Sequence, residues 1–563
     1  MAKKIVVIGG SAAGPKAAAR ARRLDGDAEI TIIQKDPDLS MASCGYPYYV
    51  GRVIHDRSML ISTPAGVVRN PAFFLNTKKI VARTATEAVA INCKGKTVLC
   101  KDLSTGTTDE VPYDRLILAT GSLPNMPTVP GVDLDGITTL QSMRDADYLR
   151  TVCDEQQIKK AVVVGGGLIG IETCEALRRA GIEVTVVEML PQILAFLDRD
   201  LALLVENYLR NKGVHITTGN GVAAFLGSNG KLAGVRLQNG AELDCALAVV
   251  AIGVRPNTAL ARAAGLAIGQ TGGILVNEYL QTSDENIYAA GDCIETVNLL
   301  TGKKVHAPYG DLANLQGRVA GENAVLENVA SFPGTIQTGI CKVFDYAVGT
   351  TGLSEQAARQ AGFDVLSVVN AGTDKPAFMN GKLLITRLVA ERATGRILGA
   401  QCIGAGDVAK QIGQWAMAIT GKLRVDDIVT ADLPYAPPFS QAIDHCIATA
   451  HLMQNKMRGV LKGISASEVY EKLSGGDKPF LLDVRGPDEF NAMRIGAGEQ
   501  LIPLGALRTR LGELPVDKNR EIICYCKISL RGYEAARILE AHGWKNVRVM
   551  EGGIMAWPFP REK

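Results

Sequence analysis

Lys160-Ala161-Val162-Val163-Val164-Gly165-Gly166-Gly167-Leu168-Ile169-Gly170 is the stretch on which the reading of the fold turns. An apolar run makes a strand, a glycine turn follows, Leu168 opens a helical stretch, and a second apolar strand ends at Val187-Glu188. A helix entered this way keeps its first N–H groups unpaired at the strand end, where a pyrophosphate can accept from them. Gly165 makes the tight turn, Gly167 lets the phosphates approach, Gly170 lets helix and strand pack, and Leu168 and Ile169 carry the exposed N–H groups. The Glu188 carboxylate can accept from a ribose 2′-hydroxyl and would repel a 2′-phosphate. No arginine stands in the Met189-Leu190-Pro191 that follows it. The unit therefore reads as an NADH site, with NADPH disfavoured.

The same grammar governs residues 3–33. Gly9-Gly10-Ser11-Ala12-Ala13-Gly14 follows an apolar strand, with Ser11 in the middle glycine's place. Where an acidic residue is expected the chain reads Gln34-Lys35-Asp36, and the Gln34 amide bonds a hydroxyl more weakly than a carboxylate does. Two dinucleotide folds in one chain suggest that one cofactor hands hydride to the other. Ala119-Thr120-Gly121-Ser122 ends an apolar strand before the NADH unit, and Ala289-Ala290-Gly291-Asp292 ends another after it. The NADH unit is thus an insert.

Composition sets the frame. A chain of 563 residues exceeds one domain, and 47% hydrophobic with 21% charged residues is ordinary globular make-up. A net charge of +3 gives no bulk attraction to nucleic acid or membrane. No apolar run reaches the ~18 residues of a spanning helix. Residues 1–8 run straight into a strand, so no secretory signal is expected. The 12 cysteines lack disulfide-framework spacing, and reduced thiols in the cytoplasm are the expectation, with no metal site.

These motifs resemble the pyridine nucleotide-disulfide oxidoreductases, the two-dinucleotide-binding flavoproteins, over roughly the first 450 residues. The resemblance implies an α/β chain with two Rossmann-like domains and an α+β dimerisation domain, working as a homodimer. FAD would lie on the outer segments, at Gly9, Ser11, Ala12, Ala13, Gly14, Gln34, Lys35, Ala119, Thr120, Gly121 and Gly291, with Asp292 on the ribitol chain. NADH would take the insert, with Gly253 at its exit. The expected division is a discontinuous FAD domain (1–115 and 116–155 with 250–330), an NAD domain (156–249) and a dimerisation domain (331–455). A linker (456–463) and a C-terminal domain (464–563) follow.

Most cysteines, Cys174, Cys245 and Cys402 among them, lie in apolar elements and read as core. Cys44 differs. Ser40-Met41-Ala42-Ser43-Cys44-Gly45-Tyr46-Pro47-Tyr48 follows the first βαβ unit, where this family sets its redox centre against the flavin. The second cysteine of a dithiol enzyme, five residues away, is missing. The Ser40-x-x-x-Cys44 pattern resembles the single-cysteine members: coenzyme A-disulfide reductases, NADH-dependent persulfide reductases, and NADH oxidases and peroxidases. One thiol suffices there, since a mixed disulfide, a persulfide or a sulfenic acid can each take the electrons. The resting thiolate calls for a pKa lowered by positive charge or a helix dipole.

Lys16, Arg20 and Arg23 share one face of the first helix. They read either as a solvated surface or, by the resemblance, as a clamp for coenzyme A phosphates, with Ser40, Ser43 and Asn314 as further residues of a coenzyme A-like substrate site. Leu433-Pro434-Tyr435-Ala436-Pro437-Pro438-Phe439-Ser440 matches the same relatives and makes Tyr435 the candidate proton donor, in place of a His-Glu pair. The chain departs from them at Ser43, where asparagine is usual, and at Phe378 and Met379, where the dimerisation loop usually carries tyrosines.

Phe480-Leu481-Leu482-Asp483-Val484-Arg485, Asp488-Glu489-Phe490 and Gly552-Gly553-Ile554-Met555-Ala556-Trp557 resemble a rhodanese domain. Between them Cys526-Lys527-Ile528-Ser529-Leu530-Arg531 matches its active loop, a cysteine cradled by N–H groups at a helix start with Arg531 closing the ring. Ser529 stands where glycine is common, and Cys524 reads as core. The whole then reads as an NADH-dependent reductase of persulfides, polysulfides or coenzyme A-type disulfides, with Cys526 supplying sulfur. The rivals are an NADH oxidase or peroxidase working through a sulfenic acid, and a sulfur-carrier or redox-sensing protein.

Overall fold

The computed structural model describes residues 2–476 and 478–562. They fall into two compact units, one comprising the chain up to Pro191 with Val214–Thr335, the other Gln192–Gly213 with everything from Ile336 onward.

The first unit holds both expected βαβ folds as parallel sheets of matching order. In one, Ile287–Ala289, Arg115–Leu118, Lys4–Ile8, Glu29–Ile33 and Ile80–Arg83 lie side by side. In the other the order is His215–Thr217, Glu183–Val187, Lys160–Val164, Leu247–Val250 and Ile137–Thr138. Ile5, Val6, Val7 and Ile8 are all buried, as a central parallel strand covered on both faces requires. Gly9 adopts φ +114, and a Cβ there would lie 2.0 Å from the Ala119 carbonyl oxygen. The turn therefore closes only around glycine.

The helices Ala13–Leu24 and Gly310–Leu326 pack closely through two further glycines. A Cβ on Gly317 would stand 2.4 Å from the Ala13 carbonyl oxygen, and one on Gly321 2.3 Å from that of Ala17. The two contacts rise together along both helices, so the helices run parallel and present their N-termini to the same side.

The second unit contains an antiparallel sheet in the order Gly339–Val343, Tyr346–Gly352, Ile397–Gly404, Leu383–Glu391 and Val365–Thr373. It also contains a parallel sheet ordered Gly463–Ile464, Val547–Met550, Ile522–Tyr525, Phe480–Asp483 and Gln500–Leu501. Residues 192–213, which the sequence reading places in the NAD insert, belong to this unit. Their Asp200 pairs with buried Arg387 at 3.1 Å and accepts from Ser467. The stretch 456–463, read as a linker, is tied down as well. Helix His445–Met457 runs into it, Lys456 pairs with Glu551 at 2.6 Å, and Gly463 is already in the parallel sheet.

Candidate active sites

The two glycine turns are alike in detail. Gly10 N–H donates to the Gln34 side-chain oxygen at 2.7 Å, and Gly166 N–H donates to Glu188 at 2.7 Å. Gln34 thus spends its oxygen on the turn itself, and its amide donates to Asp36 at 3.3 Å. Lys35 is held at the surface by Glu87, 2.8 Å away. Gly14 and Gly170 serve packing, since a Cβ on either would lie within about 2 Å of the carbonyl oxygen of Gly9 or Gly165 respectively. A Cβ on Gly167 would meet nothing within 4 Å, so the protein itself does not need glycine there. Open space in front of Leu168 and Ile169, at a helix start, is what an approaching pyrophosphate needs. Gly253 follows the Ala251-Ile252 backbone that abuts Gly165.

At the other turn, Ala12 precedes the helix that Ala13 opens, and Ser11 stands at the place of Gly167. Gly291 N–H donates to buried Gln316 at 2.8 Å. Asp292 accepts from Ser122 Oγ at 2.9 Å, and its carboxyl pKa is raised by burial. Ala119 abuts Gly9, Thr120 is bonded to the Asn257 carbonyl at 2.7 Å, and Gly121 is open. Parallel helix starts, a glycine cradle and a half-buried carboxyl beside a hydroxyl form a set suited to a dinucleotide with a polyol chain.

Cys44 lies in the short turn Ser43–Gly45 ahead of helix Tyr46–Val50. Of the 12 cysteines, all free, it is the exposed one. A Cβ built on Gly310, the first residue of the long helix, would sit 3.2 Å from its sulfur, so that helix start faces the thiol. Asn314, one turn on, donates to the Gly310 carbonyl at 2.8 Å. The expected lowering of the thiol pKa is not found. Chain crowding around the sulfur raises it first, then the charges of Glu172, Asp292 and Asp311. Glu172 in turn accepts from Tyr48 at 2.9 Å. No sequence signal singled out Gly310 or Glu172, because both reach the sulfur only through tertiary packing.

The basic face divides. Lys16 and Arg23 are exposed, whereas Arg20 is engaged by Glu322 at 2.6 Å. Arg22 folds back onto the carbonyls of residues 25, 26, 28, 78 and 79. Ser40, held at φ +52, receives Arg69 on its carbonyl at 2.9 Å, and Ser43 is exposed beside Cys44. Burial and the charges of Arg23 and Arg69 lower the pKa of Lys78, so these three cations feel one another.

In the second unit Tyr435 is 55% exposed on a loop that also exposes Phe439. Buried Asp444 anchors that loop, accepting from Lys410 at 2.7 Å and from Ser440 at 2.8 Å. Phe378 is 77% exposed and Met379 partly so.

Cys526 lies at the end of strand Ile522–Tyr525, and Ser529 N–H donates to its sulfur at 3.3 Å. Arg531 lies near the same sulfur and holds Glu489 at 2.7 and 2.8 Å; the bonds to Glu489 and then the charge of the sulfur help raise its pKa. The guanidinium keeps the Glu489 carboxyl at about 2. Cys524 is fully buried in the core. Among the described residues no group of His, Cys, Asp and Glu could hold a metal ion, and no helix is long and apolar enough to cross a membrane.

The model of the pyridine nucleotide-disulphide oxidoreductases matches residues 3–307, that of their dimerisation domain 338–447, and that of rhodanese-like domains 465–558. The chain belongs to the pyridine nucleotide-disulphide oxidoreductases. It is an oxidoreductase with a dimerisation domain and a C-terminal rhodanese-like domain, the α/β architecture expected from its sequence. An NAD-dependent persulfide reductase from A. fulgidus superposes with a TM-score of 0.93 at 42% identity, over 98% of this chain and all of that one. The NAD(P)H sulfur oxidoreductase (CoA-dependent) of Pyrococcus furiosus is 32% identical, over 80% of this chain and 99% of its own length. A Methanocaldococcus jannaschii protein named NADH oxidase is also 32% identical, over 78% and 95%.

Proposed function

We propose that this oxidoreductase is a homodimeric, NADH-dependent flavoprotein that reduces sulfane sulfur and disulfides: persulfides, polysulfides or coenzyme A-type disulfides. The observation that carries the reading is Cys44, the one exposed thiol, set at a helix start in the dinucleotide-binding unit of a chain that also holds a rhodanese loop. Likeness to a persulfide reductase along nearly the whole chain supports it.

FAD fits the Gly9–Gly14 turn and Asp292, and NADH the turn before Leu168 with Glu188 on its ribose. Bound there, they supply a hydride acceptor and an electron pair. Cys44 does the sulfur chemistry. Its thiolate attacks the outer sulfur of a persulfide, a thiol leaves, and Cys44 is left carrying one extra sulfur. Reduction of that new S–S bond by the electron pair the bound cofactors would supply restores the Cys44 thiolate and releases hydrosulfide. The start of the helix at Gly310 lies against the sulfur, and its dipole favours the anion. Tyr435 is the proposed proton donor, reaching Cys44 of the partner subunit across a dimer face that includes Phe378 and Phe439. Cys526 accepts sulfane sulfur and presents it for reduction.

Coenzyme A is the proposed carrier thiol, supported by the CoA-dependent relative. With Arg20 committed to Glu322, its phosphates fall to Lys16 and Arg23. Free thiols throughout fit a reducing compartment, the cytoplasm.

The test is anaerobic mixing of the purified enzyme with NADH and a persulfide, scored for hydrosulfide against Cys44→Ser. Hydrosulfide no greater than in that control overturns the reading. Faster NADH turnover with oxygen or peroxide than with polysulfide would replace it with the oxidase reading.

A further inference from the structure

We propose that the Ser529 hydroxyl donates a hydrogen bond to the outer sulfur when Cys526 carries a persulfide. The inference rests on Cys526 as the sulfur carrier set out above, and it names the group that holds the carried atom.

Three observations converge on this one side chain. Its backbone N–H donates to Cys526 Sγ, so the residue lies next to the sulfur. Its backbone sits at φ +107 and ψ −37, where a residue with a Cβ is strained and glycine is at ease. Its hydroxyl is buried, the residue being 4% exposed, and has no hydrogen-bond partner among the described residues. Glycine would relieve the strain and remove the orphan hydroxyl together. A residue that is costly twice over, at the turn that bears the sulfur, marks a position kept for its chemistry rather than for its stability.

The neighbouring side chains leave the task open. Arg531 is bound by Glu489 through two hydrogen bonds. Lys527 is exposed to solvent. The Ser529 hydroxyl is the buried side-chain donor of this loop that has no partner among the described residues.

The loading step balances without an oxidant. The Cys526 thiolate attacks the outer sulfur of R–S–SH, and the donor's S–S bond breaks. R–S⁻ leaves with the electron pair and takes the proton, and Cys526–S–S⁻ forms. A hydrogen bond to that anion lowers the pKa of the perthiol and slows loss of the outer sulfur.

The experiment uses the full-length holoenzyme carrying Cys44→Ser, so that sulfur on Cys526 is read without the reductase thiol. Wild-type Ser529, Ser529→Gly and Ser529→Ala are loaded with a low-molecular-weight thiol persulfide. Intact mass gives the occupancy, and alkylation across pH gives the perthiol pKa and its lifetime. Both variants are expected to load, to show a raised perthiol pKa, and to lose sulfur roughly tenfold faster. Ser529→Gly should also melt higher than the parent, which a merely structural serine would not combine with a shifted pH profile. Identical pH profiles and lifetimes in all three proteins overturn the inference. So does an effect in Ser529→Gly that is missing from Ser529→Ala, since backbone relief would then be the cause. If the parent loads no more sulfur than Cys526→Ser, the carrier reading itself fails and takes this inference with it.

Discussion

Cys44 and Gly310 touch across the first unit: a methyl on Gly310 would stand 3.2 Å from the Cys44 sulfur. That distance is tighter than ordinary van der Waals contact, so Gly310 keeps the thiol's approach to the helix start open. Gly310→Ala should leave flavin content unchanged while displacing the sulfur by a few tenths of an ångström. Turnover with polysulfide is expected to fall about tenfold or more, as small misplacements at a reacting centre do. Full activity in a protein with normal flavin absorbance would show that the contact does not matter.

The carboxylates around Cys44 make a second prediction. Glu172, Asp292 and Asp311 all raise the thiol pKa, with Glu172 foremost of the three. Fewer thiolates are then present near neutrality than a helix start alone would give. Glu172→Gln removes a negative charge, so the thiol pKa should fall and alkylation of Cys44 at pH 7 should quicken several-fold. The pH midpoint of that alkylation should move down in the variant. An unmoved midpoint would mean that Glu172 does not act on the sulfur.

What the sequence could and could not tell follows from which contacts are local. Gly14 and Gly170 were legible because each answers to a carbonyl within its own motif. Gly9 and Gly165 were legible because the same motif marks the strand end, although the carbonyls they avoid belong to distant Ala119 and Ala251. Cys44 was legible through its missing partner, and Cys526 through a continuous loop. Gly310, Glu172, Ser122 and Glu322 come from distant stretches, and no spacing rule connects them to the thiol, to Asp292 or to Arg20. The charge pattern of the first helix suggested three free cations, but Glu322 of a helix some 300 residues on claims Arg20. The segment 192–213 reads as part of a Rossmann insert because it lies between two of its strands. It packs within the second unit, where buried Arg387 collects Asp200 and Glu355.

His445 predicts the response of the second unit to acid. Its ring is buried, and desolvation lowers its pKa from 6.5 to about 4, against the opposing pull of Asp444 and Asp374. The neighbours suit a neutral ring. Thr386 Oγ donates to Cys402 Sγ, so it can accept from His445 Nε2, 2.9 Å away, while the Asn370 amide lies 3.5 Å from Nδ1. The unfolded chain takes up a proton near pH 6.5 and the native one does so only near 4. Stability from this group is therefore complete above about 6.5 and is lost as pH falls toward 4, on the order of 3 kcal/mol in all. His445→Gln should flatten the fall of Tm between pH 6.5 and 4 measured by calorimetry. Equal slopes in both proteins would assign the acid sensitivity to other groups.

Lys456 and Glu551 fix the junction before the rhodanese-like sheet. Glu551 is buried, and one carboxylate oxygen accepts from Lys456 at 2.6 Å while the other accepts from Val369 N–H at 2.9 Å. Lys456 also donates to the Ser367 carbonyl at 2.7 Å. One carboxylate thus ties the helix end, the edge strand of the antiparallel sheet and the strand Val547–Met550 together. Lys456→Met leaves that carboxylate buried without its cation and should cost about 3–5 kcal/mol. Glu551→Gln keeps an acceptor for Val369 N–H and should cost less. Adding Glu551→Gln to Lys456→Met should recover part of the loss, because no buried charge then remains. Calorimetry would read the order of the three variants, and limited proteolysis would read new cleavage between residues 458 and 463 in Lys456→Met. A junction held this way argues against a swing of this segment as the route between Cys526 and Cys44. If Lys456→Met melts and resists protease like the parent, the junction is held by other contacts and a swinging transfer returns as the simpler route.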